Sequence, residues 1–463
     1  MQPFYMISYV HQKSYKHDAA NLIFCSVIGF NLLICNVCSS VYFFSIFALL
    51  NFALFIAFFI LNWPSFVVKY LSYLFSAVAA ISGTAICELI PGLFLDELRC
   101  DTAFAGSLPL LIFAYWMLLM SLYLYDLKKG VPLTDISFLG GNAKKRAPDK
   151  ITVILFVLFT ILFSKVASRP AMLLGIDRFQ YAKNFAPKGI WASISNVSSV
   201  LLIFPFLSLL YGNRYLGTLT IVLYVLYHFW MGTKFGPFFS MMCVGLLVSY
   251  NYIARKGKRF LKKANKRAIA LFACLVLFAV CFSSISDSYK GDGYFFKRCA
   301  QQGQLWWKTY QLAERPSPSD FSTEIDALLH PKRAVSENVG SQNGIYRIMY
   351  LCAPKEMVDF KLSTGSRYSE GGCAAAYYYF GTLGVVLYTY LSGLISAITV
   401  NAFIMAVKRR QYIKEVILLR FFIQVRACVV MFVFLDLLDK VSLCGYCYLA
   451  LSWGIRKRIK IQL

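Results

Sequence analysis

Apolar residues come along this chain in runs of about 20, the number a helix needs to cross a hydrocarbon core of about 30 Å. Such windows fall near residues 20–38, 41–61, 66–87, 105–125, 151–167, 196–212, 215–232, 235–253, 268–285, 374–400, 415–434 and 441–454. The pattern predicts an all-α integral membrane protein of about 12 transmembrane helices. One interval departs from it: Ser286 to Cys373 is polar and charged, set between two strongly apolar segments. Three regions follow, with helices 1–9 over residues 1–285, a large loop over 286–373, and helices 10–12 with a basic tail over 374–463. No repeat of fixed period is visible.

Composition agrees with the pattern. The chain is 59% hydrophobic and 15% charged, against roughly 25% charged for a soluble globular protein. A formal charge of +25 would suggest nucleic acid in a soluble protein. Here most Lys and Arg sit in short loops beside apolar spans, as the positive-inside bias predicts, so no nucleic-acid partner is expected. Lys13, Lys16 and Asp18 precede the first span and no convincing cleavage site follows it, which reads as a retained helix.

Loop charge sets the orientation. With both termini cytoplasmic, the clusters Lys144 to Arg146, Arg255 to Arg267, Lys408 to Arg410 and Arg456 to Arg458 all lie inside. The acidic connection carrying Glu88, Asp96, Glu97 and Asp101 then lies outside, as does the large loop. Residues 168–195 also face outward, yet carry Arg169, Arg178, Lys183 and Lys188 against one acid, Asp177. Topogenesis disfavours a basic loop there, which points to a receptor for an anion. Lys234 is a further outward cation, with His228 near the same face.

Charged residues within the spans include Lys69, Lys165, Arg420 and Arg426. A charge at the bilayer centre costs about 3 kcal/mol on insertion scales, so each must snorkel, pair or face a cavity. Lys69 and Arg420 are near enough to a cytoplasmic end to snorkel, whereas Arg426 is deeper and calls for a carboxylate partner or a polar cavity. Gly381 and Gly384 suggest close helix packing. Neither Cys35 with Cys38 nor Cys444 with Cys447 has a second pair at zinc spacing, so no metal site is expected. Cys299, Cys352 and Cys373 lie in an oxidising compartment under this topology, which allows one disulfide without choosing the pair.

The large loop holds Arg298, Arg315, Arg333, Arg347 and Arg367, together with Trp306, Trp307, Tyr310, Tyr346, Tyr350 and Tyr368. Arg grips phosphate or carboxylate through two parallel hydrogen bonds. Interfacial aromatics anchor loops at headgroup level and also stack on sugar rings, and for Trp306 and Trp307 both readings stand. Few periodic apolar runs are visible from which the loop could build a core of its own.

Two cationic outer loops, the second much the larger, on a bundle of many spans resemble the O-antigen polymerases of bacterial envelopes, the Wzy type. Members carry in each loop an Arg followed after ten residues by Gly, and Arg178 to Gly189 and Arg333 to Gly344 fit that spacing. The run Arg-Cys-Ala-Gln-Gln-Gly-Gln-Leu-Trp-Trp-Lys at 298–308 looks like stretches seen in such polymerases. So does Tyr-Ser-Glu-Gly-Gly-Cys at 368–373, followed by Phe-Gly-Thr-Leu-Gly at 380–384. Gly-Thr-Lys at 232–234 resembles a Gly-Ser-Arg of the family, with Lys in place of Arg.

The resemblance implies a glycosyltransferase-C-like bundle in the bacterial inner membrane, acting without metal or cofactor. A growing polysaccharide would pass from undecaprenyl diphosphate to the next undecaprenyl-diphosphate-linked repeat unit, with membrane lipid and a chain-length regulator protein as further partners. Fixed cations stabilise the leaving diphosphate, and Arg178, Lys183, Lys234, Arg298 and Arg333 are the candidates, with Trp306 and Trp307 against the sugars. A general base must take the acceptor proton. Glu370, His330, Asp320 and Asp359 are available, with two preferred: Glu370, at the membrane re-entry beside Gly371 and Gly372, where backbone could approach a substrate closely, and His330, whose residue type titrates near neutral pH. O-antigen ligase shares the plan, and a lipid-linked oligosaccharide flippase is the rival of another class. Transporters tend to hold charge at the midplane and to repeat their halves, which this chain does not.

Overall fold

The computed structural model describes residues 3–129, 147–166, 170, 181, 184–232, 236–256, 258–286, 294–313, 316–330, 344–363, 366–438 and 442–451. Six helices among them are long and apolar enough to cross a membrane: Ala19–Val37, Tyr42–Asn62, Pro64–Leu89, Leu108–Lys128, Gly236–Ala254 and Gly371–Arg409. The architecture is that of an all-α, multi-pass membrane protein, with a two-residue hairpin pairing Phe94–Leu95 with Cys100–Asp101.

At one edge lie α1 (Pro3–Val37) and α2 (Tyr42–Asn62). Cys25, Ile28, Leu32 and Cys35 recur at three- and four-residue steps and face inward, while Ile23, Val27, Phe30 and Leu33 stay exposed on a lipid-type face. Pro64 has no amide hydrogen to lose at a first helical turn, and it opens α3 (Pro64–Leu89). The next helix is α4 (Leu108–Lys129). A second group consists of α5 (Ala147–Val166), α6 (Ile190–Leu201), α7 (Ile203–Tyr211) and α8 (Arg214–Trp230). The single span expected over 196–212 is split between α6 and α7. Pro205 clashes with the carbonyl four residues back, Leu201, and cannot donate to it, so the break falls at Leu202. After them come α9 (Gly236–Arg255) and α10 (Lys258–Ser286), and α9 bridges to α3.

The large loop is a helical cap built from α11 (Tyr294–Ala300), α12 (Gln304–Leu312), α13 (Phe321–Leu329), α14 (Gly344–Cys352) and α15 (Lys355–Ser363). It builds its core jointly with the bundle. Ile345, Ile348, Met349 and Cys352 form one buried stripe of α14, and they pack with Leu305, Trp307 and Val358 of the cap. The other wall of that core is the bundle end, with Cys87, Leu95, Leu98, Ala374, Ala375 and Tyr379. Cap and bundle therefore share one interior. Docking is close: a Cβ on Gly303 would lie 2.2 Å from the Thr84 amide nitrogen, and one on Gly83 would lie 2.5 Å from the Gly303 nitrogen. Ion pairs add to it, with Lys361 2.7 Å from Glu97 and Lys297 3.3 Å from Asp96. Cys299, Cys352 and Cys373 are all free thiols, so the single disulfide that the topology allows is not formed.

The chain returns through α16 (Gly371–Arg409), α17 (Tyr412–Met431) and α18 (Ser442–Leu451). Straight, the 39 residues of α16 would measure about 58 Å, nearly twice what a span needs. They are not straight. Gly381 has φ 65° and ψ −157°, a conformation essentially closed to side-chain-bearing residues. A Cβ on Gly384 would sit 2.7 Å from the Ala376 carbonyl, and one on Gly372 would sit 3.2 Å from the Tyr388 ring. Both contacts are symmetric about Phe380, so residues 371–380 fold back along the start of the second limb. Gly381, which the sequence suggests as a packing site, makes the bend, and Gly384 leaves room for the returning limb.

At the end of the bundle away from the cap, Lys69 does not snorkel. Its Nζ is 2.9 Å from Asp126 Oδ2 and donates to Asn401 Oδ1 at 3.1 Å. Tyr70 and Asn401 both donate to the other Asp126 oxygen, at 2.9 and 2.7 Å, so α3, α4 and α16 share one satisfied network. Arg420 ties α17 to α18, its Nε donating to Ser442 at 3.0 Å.

Candidate functional site

Glu370 stands at the mouth of the folded-back limb. It is 2% exposed, and its backbone is left-handed, with φ 64°. For a residue other than glycine that conformation persists only where the surroundings over-determine it. They do so here. A Cβ on Gly371 would lie 2.5 Å from Ile345, and one on Gly372 would lie 1.9 Å from the Val429 carbonyl. The two glycines thus bring the cap and α17 against the start of α16, rather than opening backbone to a substrate.

The Glu370 carboxylate accepts a hydrogen bond from the Tyr115 hydroxyl of α4 at 2.6 Å. Burial pushes its pKa up from 4.5 to about 8, against the opposing pull of the Tyr115 hydrogen bond and the Arg426 charge. A carboxyl held there changes protonation near neutral pH, as proton-transfer groups do.

Arg426 of α17 is the cation that Glu370 feels. It is half-buried, its Nη2 donates weakly to Ser76 of α3 at 3.4 Å, and its guanidinium lies 5.0 Å from the Phe239 ring of α9. Its Nε has no hydrogen-bond partner, and no described carboxylate lies within ion-pair distance. Of the two expectations for Arg426, a carboxylate partner or a polar cavity, the carboxylate partner is not met among the described residues.

The other preferred base stands apart. His330 ends α13 on the exposed side of the cap, its Nδ1 3.0 Å from Asp326 Oδ1. Asp320 is engaged structurally, 2.7 Å from Arg347 Nη2 and accepting from Tyr378 at 2.6 Å. Asp359 accepts from Tyr350 at the cap surface. Near Asp320, Glu324 accepts from Tyr379 at 2.6 Å and from the Gly344 amide, and burial raises its pKa. Arg298 is exposed and donates to Gln301 at 2.6 Å.

Trp306 and Trp307 correct the sequence reading: both are fully buried. Their Nε1 atoms donate to the carbonyls of Ser107 and Ala103 at 3.1 and 2.9 Å, so they anchor cap to bundle and offer no face to a sugar or a headgroup. Arg178, Lys183, Lys234 and Arg333 lie outside the described residues. Of the two spaced motifs the closing glycines are described, and they behave alike. Gly189 and Gly344 have φ of 62° and 57°, and each opens a helix.

Sequence reasoning missed Tyr115. A tyrosine in an apolar span carries no mark of its function, and its partner is 255 residues away. It also missed the cap network of Arg347, Asp320 and Tyr378, for which the run of three tyrosines at 377–379 ahead of Gly381 was a usable signal. No curated protein and no solved structure matches the chain. Residues 338–440 match one family model, described as a family of unknown function (DUF6418). That stretch holds Glu370, the bend at Gly381 and Arg426, but not Tyr115 or the first half of the cap.

Proposed function

We propose that the protein is a glycosyltransferase of the O-antigen polymerase type, working at the periplasmic face of the bacterial inner membrane. The observation that carries this reading is Glu370, a buried carboxyl poised near neutral pH beneath a folded cap, with the Arg426 charge on its bundle side. In this reading about 12 spans put both termini in the cytoplasm and the cap in the periplasm.

The chemistry follows from those two charges. Glu370 takes the proton of an acceptor sugar hydroxyl as the oxygen attacks the anomeric carbon of the donor chain. One glycosidic bond forms, the bond from that carbon to the diphosphate oxygen breaks, and undecaprenyl diphosphate leaves with the electron pair. Cations aimed at the diphosphate lower the barrier because they meet charge that develops in the transition state. Arg178, Lys183, Lys234 and Arg333 are the outer candidates for that role.

The test is a gel of lipopolysaccharide from a strain lacking the gene, complemented with the wild type or with Glu370→Gln. Core plus a single repeat in the deletion and the variant, with a full ladder restored by the wild type, supports a polymerase. Bare core in the deletion points to a ligase or a flippase, and an unchanged ladder removes the protein from this pathway.

A further inference from the structure

Arg426 raises a question that the base does not answer. A half-buried guanidinium with no described carboxylate within ion-pair distance is repaid only in part by what surrounds it. Ser76 Oγ supplies one weak acceptor at 3.4 Å and the Phe239 ring covers one face. Ser76 itself donates to the Ser72 carbonyl at 3.0 Å, so its hydroxyl hydrogen is committed and its lone pairs face Arg426. The protein leaves Nε without an acceptor. The oxygens of an anion would complete such a donor set, and for a site among the apolar helices α3, α9 and α17 the fitting anion is one carried on a lipid chain.

We propose that Arg426 binds a phosphate of the lipid-linked substrate from inside the bundle. The inference rests on the transferase reading above and adds to it a substrate-binding residue. It also accounts for the lack of an ion pair between Arg426 and Glu370: a tight ion pair would neutralise both the base and the anion site.

The experiment measures binding of farnesyl diphosphate, farnesyl monophosphate and inorganic diphosphate to the full-length protein in detergent. Wild type, Glu370→Gln, Arg426→Met and Arg426→Lys are compared. Wild type and Glu370→Gln are expected to bind farnesyl diphosphate alike. Arg426→Met is expected to bind on the order of 10- to 100-fold more weakly, the worth of a charge-assisted hydrogen bond, with Arg426→Lys between. Removal of an unpaired buried charge should leave the thermal stability of the unliganded Arg426→Met undiminished, whereas loss of a merely structural Arg would lower it and spare binding.

If Arg426→Met and Arg426→Lys both bind as the wild type does, the inference falls and the transferase reading stands. If the wild type binds none of the three probes, the lipid-diphosphate reading itself fails, and the role of Arg426 with it. Inorganic diphosphate bound as tightly as the farnesyl compound would make the ligand a free anion and overturn the lipid assignment. Should Arg426→Met not fold, Arg426→Lys decides, since it keeps the charge and loses only the planar fork.

Discussion

Glu370→Gln separates a carboxyl kept for chemistry from one kept for structure, because the two give opposite pH signatures. The folded protein holds the Glu370 proton to about pH 8, against 4.5 for an exposed carboxyl. A raised pKa means that the folded state binds more protons than the unfolded state between those values. Stability is therefore full below about pH 4.5, falls as pH rises, and reaches its lower level above about 8. At about 1.36 kcal/mol per unit, the loss amounts to roughly 3 kcal/mol by pH 7 and nearly 5 kcal/mol at the alkaline plateau. Gln cannot ionise, and its side-chain oxygen can still accept from Tyr115, so the variant escapes this loss. Thermal unfolding of both proteins in detergent from pH 5 to 9 should show Glu370→Gln gaining on the wild type by about 4 kcal/mol across the range. Polymerase activity should be lost in the same variant, and the wild-type rate should climb with pH through about 8 as the base ionises. Parallel stability profiles for the two proteins would refute the buried, protonated carboxyl. A Glu370→Gln variant with full activity would refute its role as base.

Three other perturbations test separate parts of the structure. Lys69→Met leaves Asp126 without its ion-pair partner and should cost about 3–5 kcal/mol, whereas Lys69→Met with Asp126→Leu should recover most of it; a double-mutant cycle without coupling would dismiss the network. Gly303→Ala drives a methyl group to 2.2 Å from the Thr84 amide and should loosen the cap by about 1–3 kcal/mol, read as faster proteolysis within residues 294–363, and an unchanged digestion pattern would contradict the docking. Arg178→Ala and Arg333→Ala should each abolish polymer growth with the protein still in the membrane, and normal polymer from both would end the idea of a cationic cradle.

Much of the bundle was legible because a membrane span is written as a long apolar run, and among the described residues these runs meet helix, six of them long and apolar enough to cross a membrane. Where runs misled, the cause was local. Residues 374–400 are uniformly apolar, so nothing distinguishes the limb that folds back from the limb that continues except Gly381 and Gly384, and the same glycines also suit ordinary packing. The cap core escaped notice because each helix contributes only a short stripe, such as Ile345, Ile348, Met349 and Cys352, and completes its core with residues more than 200 positions away, such as Cys87. Trp306 and Trp307 fit an interfacial belt by type, but a buried indole needs only one carbonyl, and Ser107 and Ala103 provide them. Glu370 was found for its place at the re-entry beside two glycines. The reason it matters, the burial that lifts its pKa, comes from residues that no local window contains.

The folded-back limb also constrains the order in which this protein can be made. Tyr115 and Ser76 leave the ribosome early, whereas Glu370 arrives 255 residues after Tyr115 and Arg426 arrives 350 after Ser76. Gly372 rests on the Val429 carbonyl, so the limb that carries Glu370 has no seat until α17 has been synthesised and inserted. The earlier spans must wait in the bilayer with an open slot, and a chain cut short before α17 would present a cap without a working centre beneath it. Completion of the chain is thus itself the last step of assembling the site, and two separately expressed pieces divided before α16 would have to find each other in the membrane to restore it.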